Sequence, residues 1–191
     1  MWVSRTEFYE RFPFLESLEE DWKPISRAAL AAWLAFYALF LLHIATAEGV
    51  YVDLLWLILH EGGHLVFSPF GKFLMVLGGT LLQLVVPLGF AGYFALQRHA
   101  PATALCLFFF FENFLGIAIY MADAHAMALP LVSLGSGEVI HDWYYLLSTF
   151  HLLHRDTQLA ALVKMAGWAG MFGTLAWLGW RGLASSPRSG G

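Results

Sequence analysis

The chain has 191 residues, of which 59% are hydrophobic and 13% charged, with a formal net charge of -4. A water-soluble domain carries about 25% charged residues, so this composition excludes a fully solvated surface and points to the lipid bilayer as partner. The small net charge argues against nucleic-acid binding. The single cysteine, Cys106, allows neither an internal disulfide nor a zinc-finger spacing.

Residues 1–27 mix Arg5, Glu7, Glu10, Arg11, Glu19 and Glu20 with Trp2, Phe8, Phe12 and Phe14. That pattern predicts an amphipathic segment at the membrane interface rather than a signal peptide. Five apolar runs follow, at about 28–47, 52–67, 73–96, 103–122 and 159–180. Most are long enough to cross a hydrocarbon core of about 30 Å at roughly 1.5 Å per helical residue. Glu48-Gly49 breaks the first, and Ser68-Pro69-Phe70-Gly71 ends the slightly short second. Pro87 kinks the third. The stretch 142–154 has helical apolar spacing with polar interruptions, which suits an interfacial or re-entrant segment.

The expected fold is therefore all-α, a polytopic transmembrane helix bundle with five spans and one interfacial or re-entrant segment. Residues 28–182 form the membrane domain, and 183–191 a Ser/Gly-rich disordered tail. With the N-terminus in the cytoplasm, Arg5, Arg11, Lys23, Arg27, Lys72 and Arg155 lie inside, and Arg98, Arg181 and Arg188 outside.

The second run contains His60-Glu61-Gly62-Gly63-His64. Residues i and i+4 share a helix face, so His60 and His64 can ligate one metal ion, and Glu61 can act as the general base of a hydrolase. Zn²⁺ is the cofactor this pattern suits. An ionisable residue at a bilayer centre costs about 2.5–3.5 kcal/mol; three within five positions mark a functional site. A hydrolytic zinc takes a third protein ligand, for which the candidates are Asp123, then His141 and Asp142, then His125. Their surplus admits residues that hold the ligands in place without touching the ion, or a second metal ion, with iron as well as zinc in play. Asn113, beside Glu112 in the fourth run, can orient a ligand or donate to an oxyanion. His43, His99, His151 and His154 read as packed, interfacial or solvated side chains.

The HExxH motif in a membrane helix, followed by a later segment bearing Asn113 and Asp123, resembles the site-2 protease class of intramembrane zinc metalloproteases over residues 52–143. The resemblance implies an all-helical fold and a zinc held by His60, His64 and the later aspartate. It further implies Glu61 as base, and a transmembrane helix as substrate. In that class the aspartate stands in an Asn…Pro…Asp-Gly setting; here Asp123 precedes Ala124, and Pro130 follows it. The pattern HEGGH, Asp-Ala, Leu-Pro and His-Asp-Trp is also similar to that of a group of bacterial membrane proteins, which makes an inner membrane the expected location. Two other readings fit the same residues: a lipid hydrolase or di-metal oxidase, and a non-enzymatic metal-binding membrane protein.

Overall fold

The computed structural model describes residues 21–46, 52–130 and 140–184. Residues 1–20 of the expected N-terminal segment, the Glu48-Gly49 break, residues 131–139 and the chain beyond Ala184 lie outside them. All the regular structure among the described residues is helical: α1 (Arg27–Thr46), α2 (Val52–Phe67), α3 (Lys72–Leu96), α4 (Ala100–Ala122), α5 (Asp142–Thr149) and α6 (Asp156–Ala184), with 3₁₀ turns at Ser68–Phe70 and Leu153–Arg155.

Four helical stretches have the length and apolar composition to cross a membrane: α1, α3, α4 and Leu153–Ala184. This is one fewer than the five spans expected. α2 has 16 residues and reaches roughly 24 Å at 1.5 Å per residue, short of the hydrocarbon core. Its end is set by chemistry: Pro69 lies in the first positions of the 3₁₀ turn, and Gly71, at φ 93°, supplies a conformation that a side chain would resist.

The other boundaries follow equally local rules. Ser26 accepts the Ala29 N–H through Oγ at 3.1 Å and caps α1. His99 Nδ1 accepts the Ala102 N–H at 3.2 Å and caps α4, whose first turn contains Pro101.

α4 lies centrally, against α3 on one side and α6 on the other. Tyr37, Phe108, Met171 and Leu178 are fully buried in the packing of α1, α4 and α6. The exterior is apolar, with Leu39, Leu65, Phe90 and Leu183 more than half exposed, as lipid contact requires. The interior between α2, α3, α4 and α5 is instead polar: Glu61, Gln83, Glu112, Asn113, His141 and Asp142 are all buried there.

α2 and α3 form a hairpin whose close approach depends on glycine. A Cβ on Gly63 would run into the Gly78 carbonyl oxygen and lie 2.8 Å from Gly79 Cα, so only backbone could yield. Gly63→Ala should therefore destabilise the fold by about 1–3 kcal/mol through forced separation of the two helices. Gly89→Ala, where a Cβ meets nothing within 4 Å, should leave stability near wild type. Thermal unfolding in detergent checks both, and equal melting of the two variants would refute the tight crossing.

Candidate metal centre

His60 and His64 lie one turn apart on α2, with ring centroids 4.7 Å apart and planes at 88°. Both rings press against α3 at Gly79, where an added Cβ would lie 2.7 Å from the Cε1 atom of each. Gly79 thus makes the space that the two imidazoles fill.

Each ring is fixed through its Nδ1. His64 Nδ1 lies 2.8 Å from the Met75 carbonyl oxygen. A carbonyl only accepts, so Nδ1 carries a proton, and in the neutral ring Nε2 is the nitrogen left with the lone pair. His60 Nδ1 lies 3.2 Å from Gln83 Oε1, and with that oxygen accepting, the ring takes the same tautomer. Ring nitrogens held in this way are the usual supports of histidine ligands.

Both Nε2 atoms face one oxygen. Asp142 Oδ2 is 2.7 Å from His60 Nε2 and 3.3 Å from His64 Nε2. Two lone pairs and a carboxylate oxygen repel one another unless a cation, a metal ion or a proton, lies among them. The donor set of two imidazoles and one carboxylate therefore fits a divalent metal such as zinc. The Glu61 carboxylate is buried beside them, and one ligand atom from each of His60, Glu61 and His64 falls within a 4.8 Å group. Where protons on the imidazoles stand in for a metal ion, burial works to raise the Asp142 pKa, but hydrogen bonds and charge from His60 and His64 outweigh it and hold the carboxyl below the usual range.

The support behind Gln83 reaches a third helix. Pro87 has no N–H, so the Gln83 carbonyl four residues earlier loses its helical partner. Asn113 Nδ2 on α4 donates to that carbonyl at 3.1 Å. Asn113 thus repairs the proline defect and fixes the backbone of the residue that orients His60. One N–H of its amide is thereby committed to the backbone of α3. Asn113→Leu should cost about 1–3 kcal/mol for the orphaned carbonyl and weaken zinc binding as well. A zinc titration and a melting curve on the variant test this, and wild-type values in both would refute the strut.

The other candidate ligands lie elsewhere. Asp123, at the end of α4, accepts the Ala128 N–H on Oδ1 (2.9 Å) and the Leu129 N–H on Oδ2 (3.0 Å). Its Oδ2 also lies 3.3 Å from His141 Nε2. Burial opposes its ionisation, but these hydrogen bonds prevail and hold its pKa below the ordinary value. His141 accepts the Tyr144 N–H on Nδ1 at 3.2 Å as the cap of α5. Its Nε2 therefore carries the proton that goes to Asp123. The side chain of His125 is exposed, and only its backbone N–H is engaged, by Asp156 Oδ2 at 3.1 Å. Of the four residues considered for a third ligand, the structure brings Asp142 to the histidine pair and commits Asp123 and His141 to each other.

Glu112, next to Asn113, accepts the Trp56 indole N–H at 2.7 Å. Two residues the sequence reading passed over stand close to the centre. Gln83 is betrayed by its position four residues before a proline in an apolar run. Tyr120 gives no such signal; its hydroxyl accepts the Asp142 N–H at 3.1 Å.

No protein-family model, curated protein or solved structure matches the chain.

Proposed function

We propose that the chain is a membrane-embedded, zinc-dependent hydrolase of the site-2-protease kind, cleaving a peptide bond in a transmembrane segment. The observation that carries this reading is the convergence of two Nδ1-anchored imidazoles and the Asp142 carboxylate on one point, with Glu61 buried alongside.

His60, His64 and Asp142 would hold the zinc. When bound, the ion supplies Lewis acidity at the position these three ligands leave open. Glu61 takes the proton of the attacking water and returns it to the amide nitrogen as the C–N bond breaks. The substrate helix must unwind locally first, because helical backbone in lipid has its polar groups already paired. The site lies near one end of the bundle: Met75 is in the first turn of α3 and Tyr120 in the last turn of α4. Substrate unwinding near the membrane surface, where water is available, suits that depth.

The test is cleavage of a fluorescently labelled transmembrane peptide by the detergent-solubilised chain, abolished by a chelator and restored by zinc. Failure to cleave any such peptide, with zinc bound, would reject the peptidase. It would leave the lipid-hydrolase and non-enzymatic readings.

A further inference from the structure

Asp142 reaches the histidine pair only because α5 is docked, and α5 is weak on its own. It has eight residues, whereas isolated helices below about 12–15 residues are marginal in water. It buries Leu146 and Leu147 but leaves Tyr144, and Phe150 at its C-cap, exposed. Along its length it touches the start of α3 through Lys72 over the Tyr145 ring, at 5.2 Å, and through Phe73 on Phe150, with centroids 5.8 Å apart.

At its N-terminus the attachment is polar and specific. The Asp142 N–H, one of the donors a helix start leaves over, goes to the Tyr120 hydroxyl. The Tyr120 ring lies on the His141 ring, with centroids 4.4 Å apart and planes at 34°, and meets the His60 ring edge-on at 6.1 Å. His141 in turn pairs with Asp123 at the end of α4. None of these three side chains has an atom on the ligand oxygen; all of them hold the segment that delivers it.

We infer that Tyr120, His141 and Asp123 are positioning residues forming a latch that carries Asp142 onto His60 and His64, so that metal affinity and docking of α5 are one coupled equilibrium. The inference rests on the metal-site part of the proposed function and not on hydrolysis. A ligand that must be ordered before it binds lowers the apparent affinity by the fraction of chains in which it is in place. The latch raises that fraction, and the bound ion in turn holds α5 down.

The test uses the full chain in detergent with zinc or cobalt ions alone. In wild type, zinc should slow hydrogen exchange of the amides of residues 142–149. Tyr120→Phe keeps the ring and removes the acceptor; His141→Asn keeps a helix cap and removes the link to Asp123. Each should lower zinc affinity by about 10–100-fold, the usual effect of removing an outer support. Each should also speed exchange across α5. At saturating cobalt, both should give the wild-type visible spectrum, because the ligands are unchanged. Asp142→Asn should alter that spectrum. Wild-type affinity and exchange in both latch variants, with Asp142→Asn impaired, would overturn the latch and leave the metal site standing. An altered cobalt spectrum at saturation in the latch variants would also overturn it, since the ligands themselves would then have changed. A wild-type chain that binds neither ion would overturn the metal site and the latch together.

Discussion

His64→Ala should reduce the zinc content of the purified chain from about one ion per chain, the stoichiometry of a three-ligand site, to none. The ring contributes one of two nitrogen donors, and no other imidazole among the described residues is placed to replace it: His141 is tied to Asp123 and the His125 side chain is exposed. The fold should survive the change. The Met75 carbonyl keeps its helical partner, and α2 remains packed through Gly63 and Gly78. Metal analysis beside a melting curve separates these effects. Full zinc in a folded His64→Ala protein would remove His64 from the site.

Glu61→Gln is the complementary experiment. It preserves volume at a buried position and replaces one basic carboxylate oxygen with an amide NH2 that cannot take a proton. Zinc content should stay near wild type while cleavage of the labelled peptide falls by roughly 10²–10⁴-fold, the range in which general acid–base groups contribute. Undiminished cleavage would exclude Glu61 as the base. A cellular function that survives the substitution would favour a metal-binding protein without catalysis. Read together, the two variants separate binding from chemistry: one loses the ion, the other keeps it and loses turnover.

Much of this architecture could be read from residue order. The long apolar runs located α1, α3, α4 and α6, because lipid demands length and uniform apolarity. The i, i+4 spacing put His60 and His64 on one face, because helical geometry leaves little choice. The bounds of α2 were legible too, since Pro69 and Gly71 mark its end, but counting it as a fifth span was not supported: its 16 residues leave it out of the four helices long enough to cross. Asp142 was among the candidates for the acid facing the histidines, but its precedence over Asp123 was not legible. His60 and Asp142 are 82 residues apart, and their meeting depends on how the chain folds back after α4. Asp123 looked attractive from its place beside the last turn of α4. That same place sets its carboxylate against the N–H groups of residues 128 and 129, the local competition that aspartate at a helix end commonly loses to. Asn113 was singled out as functional, but its role depends on Pro87, 26 positions earlier (113 minus 87) in a different helix. No periodicity connects them.

The two imidazoles differ in how their support is inherited. Met75 holds His64 with a main-chain oxygen, which almost any residue at position 75 would also provide. Gln83 holds His60 with a side chain, which a single codon change can alter. Sequence drift can therefore retune one ligand while leaving the other almost untouched. A carboxylate at position 83 would make His60 a more electron-rich donor, and an apolar residue there would let its ring turn. On the proposed metal site, position 83 is the place where metal preference could change without rebuilding the hairpin that carries the motif.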